Sequence, residues 1–254
     1  MTRLATGHFR RARVFVVTIA TALTSCSEPA ARVSIDRVVL IGDSLGEQTA
    51  PYLQQMVGAL AFDSRVFGGT APCDWLGKDL AVTPTAVAVI SFIGNSSSAC
   101  MGDGAGEALH GQALVDKYRS DVTALIVQVR GVGARVLMVG QPQRLGVPDD
   151  DVEQTGLNTL YASLVEPGAV EFVDAGATVE DANGAFALRL PCIPGETQCD
   201  PDGSIAVRSD DGVHFCATTG AAGCADYSSG AFRFAAAIVT ALNLVKRTTI
   251  WLYN

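Results

Sequence analysis

Ser44, Asp211 and His214 are the residues of this 254-residue chain whose types and settings suit nucleophilic catalysis. Ser44 stands in Gly42-Asp43-Ser44-Leu45, where an apolar run gives way at once to a helix-like sequence. A serine hydroxyl attacks a carbonyl efficiently only when a neighbouring base takes its proton, and a histidine oriented by a carboxylate fills that role. The chain has three histidines. His8 lies in a basic N-terminal segment, and His110 falls inside a predicted helix, where a surface position is its expected fate. Only His214 is flanked by turn-forming residues, in Asp211-Gly212-Val213-His214, ahead of the last predicted helix. Asp211 is placed to hold the ring through Nδ1 and leave Nε2 for the Ser44 proton. Each residue also has a structural reading. Ser44-Leu45-Gly46-Glu47 fits the S-x-x-E box that caps a helix start, with Asp43 as the alternative cap, and Asp-Gly is a common turn pair.

These residues need a scaffold. Short runs rich in Val and Ile predict strands at Arg37–Ile41, Ser64–Phe67, Val87–Ile93, Arg135–Val139 and Val170–Val173. They are apolar almost throughout, as strands covered on both faces are. Helical patterns lie between and after them, at Glu47–Leu60, Glu107–Val132, Val152–Val165 and Ala231–Leu244. Strands alternating with helices imply an α/β fold, a three-layer α/β/α sandwich on a mainly parallel five-stranded sheet. Ligands in such a sheet bind at the carboxyl ends of the strands. Gly42, Asp43 and Ser44 follow the first strand, Gly68, Gly69 and Thr70 the second, Gly94 and Asn95 the third, and Gly140 and Gln141 the fourth. Gln141-Pro142 is a polar loop or a substrate contact. Trp75, beside Cys73, packs under a disulfide or lines a pocket. Residues 175–229 are rich in Gly, Pro, Asp and Cys, and a loop region this long is functional or disordered.

The N-terminus reads as an export signal over residues 1–26. Arg3, Arg10, Arg11 and Arg13 precede the apolar segment Val14–Leu23. That segment is shorter than the roughly 20 residues a membrane-spanning helix needs, and its layout is that of a signal peptide. Leu23-Thr24-Ser25-Cys26 resembles a bacterial lipobox, which implies lipidation of Cys26. Cleavage near Ala30 is the alternative. Residues 27–34 then form a tether, and residues 35–254 suit a single domain. The six remaining cysteines, Cys73, Cys100, Cys192, Cys199, Cys216 and Cys224, fit disulfides in an oxidising compartment. Sequence alone selects no pairing, although the short separations favour Cys192–Cys199 and Cys216–Cys224, which leaves Cys73–Cys100. Zinc is the rival, with Cys216 two residues after His214, but the spacing matches no common structural zinc site. The formal charge is −8, and losing the four arginines of the signal takes it to −12. Such a surface argues against nucleic acid or bare anionic lipid as partner.

Gly-Asp-Ser-Leu after the first strand, glycines after the second, Gly94-Asn95 after the third and Asp211-x-x-His214 before the final helix together resemble the SGNH (GDSL) hydrolase family. The resemblance spans nearly the whole chain after the signal. It implies the SGNH, flavodoxin-like fold, Ser44 as nucleophile, His214 as base and Asp211 as its orienting partner. It also implies an oxyanion hole from the Ser44 N–H, the Gly69 N–H and the Asn95 side chain. The chain departs from the family pattern in two places. Serines follow Gly94-Asn95 where the family has Gly-x-Asn-Asp, and Phe67 stands where an Asn precedes the second-block glycine, which leaves Gly68 as alternative to Gly69. Gly68-Gly69-Thr70-Ala71-Pro72-Cys73-Asp74-Trp75 and Asp211-Gly212-Val213-His214-Phe215-Cys216 resemble an exported, cysteine-containing branch found in actinobacteria.

The expected activity is hydrolysis of acyl or acetyl esters of a lipid or carbohydrate through an acyl-enzyme, with no cofactor and no metal. An O-acyltransferase moving the acyl group to a sugar hydroxyl uses the same residues. A catalytically silent binding lipoprotein and a zinc hydrolase are the remaining readings. The expected partner is a small-molecule, glycan or lipid ester. The chain is expected to be a monomer, exported, and tied to a membrane only by its signal or a lipid.

Overall fold

In the computed structural model, residues 35–145, 150–216, 219–220 and 223–248 are described. The expected signal, the lipobox with Cys26 and the tether lie outside them. The described residues belong to one compact unit. Among the described residues, no helix is long and apolar enough to cross a membrane.

Five strands form the central sheet: β1 (Arg37–Gly42), β2 (Ala61–Val66), β3 (Ala86–Ser91), β4 (Arg135–Val139) and β5 (Val170–Val173). Their order is β2-β1-β3-β4-β5 and every pairing is parallel. All of β3, and β1 from Val38 onward, are buried, which accounts for their unbroken apolar sequences. β2 begins three residues before the predicted start and ends before Phe67. As the edge strand it tolerates Asp63, which pairs with Arg37 on β1.

Alternation along the strands divides the core in two. Val39, Ile41, Ala88, Ile90 and Met138 face α2 (Gly111–Arg130) and α3 (Asp150–Ser163). Val38, Leu40, Val89, Leu137 and Val139 face α1 (Ser44–Val57) and α4 (Ser229–Thr248). The result is the expected three-layer sandwich. α2 starts at Gly111, later than expected, and His110 is its N-cap residue rather than a mid-helix position. The preceding residues are taken by a turn, closed by the Asp103 N–H on the Glu107 carbonyl at 2.7 Å and a bridge between Gly102 and Ala108.

The described part of the loop-rich region is held by local ties. β6 (Arg189–Pro191) pairs with β7 (Ser204–Ala206), and β8 (Thr219–Gly220) with β9 (Gly223–Cys224), both antiparallel. The disulfides are Cys73–Cys100, Cys192–Cys199 and Cys216–Cys224.

Candidate active site

The parallel sheet brings the ends of β1, β2 and β3 to one edge, and the polar residues after them converge there. Gly42 ends β1 between β2 and β3. A Cβ at Gly42 would lie 2.3 Å from the Ser91 carbonyl oxygen, so the close approach of β1 and β3 admits only glycine. The chain then turns directly into α1. Asp43, not Ser44, is the N-cap: its Oδ1 accepts the Leu45 N–H at 3.1 Å, and its carbonyl accepts the Glu47 N–H at 2.9 Å. The alternative Ser44–Glu47 capping box does not form, because the Ser44 hydroxyl is engaged by His214.

Ser44 occupies the first helical position, 8% exposed, where the helix dipole adds positive potential. Its Oγ lies 2.9 Å from His214 Nε2, and His214 Nδ1 lies 2.7 Å from Asp211 Oδ2. The other oxygen, Asp211 Oδ1, accepts the backbone N–H groups of Val213 and His214 at 2.8 and 2.9 Å. Burial pushes the Asp211 carboxyl up, but the His214 and Val213 backbone N–H groups and the imidazole together outweigh it. The net position is below the ordinary carboxylate range. An ionised Asp211 accepts from Nδ1–H, which leaves Nε2 as acceptor for the serine proton.

The histidine loop is fixed by buried polar groups. Gln48, fully buried one turn after Ser44, accepts the Phe215 N–H at 2.8 Å on Oε1 and donates to the Cys216 carbonyl at 3.0 Å through Nε2. Arg208, 3% exposed, donates to the carbonyls of Val213 at 2.6 Å and Gln143 at 2.7 Å. Neither residue stood out in the sequence. The one available signal was an amide four residues from Ser44, on the helix face that an amphipathic pattern reserves for the core.

Asp43 ties the end of β1 to the segment after β3. Oδ2 accepts the Ile93 N–H at 2.7 Å and the Asn95 side-chain amide at 3.0 Å. Burial pushes this carboxyl up to about 7, against the opposing pull of its hydrogen bonds and of His214 and Arg144. Asn95 also donates to the Thr70 carbonyl at 3.1 Å, so its amide spans Asp43 and the loop after β2. Tyr118 and Tyr161, both fully buried, donate to the carbonyls of Asn95 at 3.1 Å and Phe92 at 2.9 Å and hold the end of β3.

In the loop after β2, Gly69 has φ +78°, a left-handed conformation that favours glycine. A Cβ at Gly68 would lie 3.7 Å from the Ser44 Cβ, so this loop passes directly over Ser44. Phe67, just before it, is 65% exposed. Two other sequence candidates have structural roles. Trp75 packs on the core beside Cys73, with Nε1 donating to Thr70 Oγ1 at 3.3 Å. Gln141 is fully buried and donates to Val139 O at 2.8 Å and Ser91 Oγ at 3.1 Å, so it is neither a surface loop residue nor a substrate contact. His110 lies 3.5 Å from Glu153 at the start of α2, among different partners from the Ser44 group.

Solved structures share this architecture. TesA is 15% identical, with a TM-score of 0.52 over 82% of this chain and 99% of its own. A carbohydrate esterase of family 3 from Talaromyces cellulolyticus is 15% identical, with a TM-score of 0.51 over 84% of this chain and 99% of its own. The C-terminal catalytic domain of Streptococcus pneumoniae peptidoglycan O-acetyltransferase A is 15% identical, with a TM-score of 0.51 over 84% of this chain and 96% of its own. At such identities the likeness shows a common fold. No protein of curated function matches the chain in sequence. Residues 37–228 match the model of the family described as "Protein of unknown function (DUF459)", and the chain belongs to that family, which is built on the SGNH hydrolase fold.

Proposed function

We propose that the protein is a serine ester hydrolase acting on acyl or acetyl esters of a lipid or carbohydrate. The observation that carries this reading is the unbroken relay from Ser44 Oγ to His214 at 2.9 Å and on to Asp211 at 2.7 Å, between residues 170 apart in sequence. In the reaction, Ser44 Oγ attacks the ester carbonyl while His214 Nε2 takes its proton. His214 then gives that proton to the departing alcohol, leaving an acyl-enzyme. Water, deprotonated by His214, releases the acid and restores Ser44. The backbone N–H groups of Ser44 and Gly69 receive the developing oxyanion. The Asn95 amide joins them by exchanging its bond to the Thr70 carbonyl, because the bond to the Asp43 carboxylate is the charge-assisted one. Each such donor is worth about 3–4 kcal/mol in the transition state. The three disulfides suit an oxidising compartment. This is consistent with export through residues 1–26, a short tether and a single domain from residue 35.

A fluorophosphonate probe and 4-nitrophenyl acetate test the reading. Wild type is expected to be labelled at Ser44. Ser44→Ala is expected to lose labelling and to lose turnover by roughly 10^4 or more. Equal turnover in both proteins refutes the mechanism. Product analysis in labelled water with a sugar acceptor present separates hydrolysis from transfer, and transfer exceeding hydrolysis would reassign the protein as an acyltransferase.

A further inference from the structure

The loop that passes over Ser44 leads to a second feature. A Cβ at Gly69 would lie 3.7 Å from Ser97 Oγ. Ser97 lines a cleft of about 300 Å3 together with Ser96, Ser98, Gly102, Asp103 and Ala108. The cleft thus begins one loop away from the nucleophile, next to Asn95. Its volume is at the low end for ligand sites, which run from roughly 300 to 1,000 Å3, and suits one ring rather than a long chain.

Its chemistry is selective. The lining side chains are hydroxyls, a carboxylate and methyl groups, with no Leu, Ile, Val or aromatic residue among them. An acyl chain gains about 0.8 kcal/mol per methylene where apolar side chains cover it, and here the apolar surface comes only from backbone carbons and the short side chains of Ser and Ala. The Ser97 hydroxyl makes no hydrogen bond among the described residues. Asp103 uses Oδ1 to accept the Ala105 and Glu107 N–H groups at 2.8 and 2.9 Å, which leaves Oδ2 for a ligand hydroxyl. A carboxylate in so small a cleft disfavours anionic groups.

The walls are fixed in advance. Cys73–Cys100 and the 2.7 Å hydrogen bond from Ser98 Oγ to Asp74 staple the loop after β3 to the loop after β2. The Leu109 N–H donates to the Met101 carbonyl at 3.1 Å and closes the segment that carries Gly102, Asp103 and Ala108. A site held in this way loses little freedom on binding.

We infer that this cleft is the subsite for a neutral, polyhydroxylated group of the ester, a carbohydrate ring, with Ser97 and Asp103 as its hydrogen-bonding residues. The inference rests on the esterase reading of Ser44 and narrows it to sugar esters. The experiment compares acetylated methyl glucoside with 4-nitrophenyl acetate in wild type, Ser97→Leu, which fills the cleft, and Asp103→Asn, which keeps the turn acceptor. The ratio of kcat/KM for the sugar ester to that for nitrophenyl acetate is expected to fall about tenfold in each variant, mainly through KM, the scale of one lost hydrogen bond. A ratio within about twofold of wild type in both variants overturns the inference. So does a wild type that turns over nitrophenyl acetate but not the sugar ester. If wild type turns over neither ester and resists the fluorophosphonate, the esterase reading fails by itself. Saturation-transfer NMR with methyl glucoside then tests the cleft directly. Binding by wild type that is lost in Ser97→Leu supports it, and no binding by wild type overturns it.

Discussion

Replacing Asp43 with asparagine keeps the side chain's shape and removes a charge that the fold buries completely. The carboxyl titrates near 3.8 in the ordinary state and is pushed up to about 7 by burial in the folded one. Between those values the folded state holds a proton that the unfolded state has released. The stability owed to neutral Asp43 is therefore fully present below 3.8 and is lost as pH rises through about 7. Each pH unit in that window costs about 1.4 kcal/mol, roughly 4 kcal/mol over the whole of it, of which about 3 falls between pH 5 and 8. Asp43→Asn has no such titration. Urea unfolding of both proteins at the two pH values should show the stability difference moving by about 3 kcal/mol in the variant's favour at the higher pH. Other ionisable groups cancel in the comparison. A difference constant to within about 0.5 kcal/mol would refute the argument that a charge is forced on a buried carboxyl. The amide also has to turn its NH2 toward one of the three donors that Asp43 now accepts, so turnover at the higher pH should fall at least about tenfold.

Two further variants test the scaffold of the site. Gly42→Ala drives a methyl to 2.3 Å from the Ser91 carbonyl and should cost about 3 kcal/mol in urea unfolding; wild-type stability would refute the close packing of β1 on β3. The double variant Cys73→Ser, Cys100→Ser opens a crosslink 27 residues long in sequence and should cost about 3.5 kcal/mol. Because this bond joins the loops of Gly69 and Asn95, kcat should fall more than KM rises, and an unchanged kcat would show that the hydrogen bonds alone hold those loops.

The legible parts of the fold were those decided by local pattern. β1 and β3 show as continuous apolar runs because both faces are covered, and β4 and β5 matched residue for residue. β2 was harder, since an edge strand is free to carry Asp63 and Arg65 and so loses its apolar signature. The start of α2 was misread because Glu107 to His110 have helical composition but are held by the Asp103 turn. The grouping of Ser44, His214 and Asp211, which the structure brings within hydrogen-bonding distance, was legible only from their order along the chain, because each alone also reads as a cap or a turn residue. Gln48 and Gln141 were not legible. A buried amide is intelligible only with its partners in view, and for Gln48 they lie 167 and 168 residues away. The cap at Asp43 was open for the same reason: the Ser44 hydroxyl is withdrawn from capping by a histidine distant in sequence.

Gln48 makes α1 a common reference frame. Ser44 begins that helix, and the bonds from Gln48 to Phe215 and Cys216 hang the His214 loop from its next turn. A slide of α1 across the sheet pulls on Ser44 and, through Gln48, on the His214 loop together, against the tie of that loop to Gln143 through Arg208. Gly69 and Asn95 hang instead from β2 and β3. Breathing between helix and sheet therefore acts on how Ser44 sits against Gly69 and Asn95 more than on its hydrogen bond to His214.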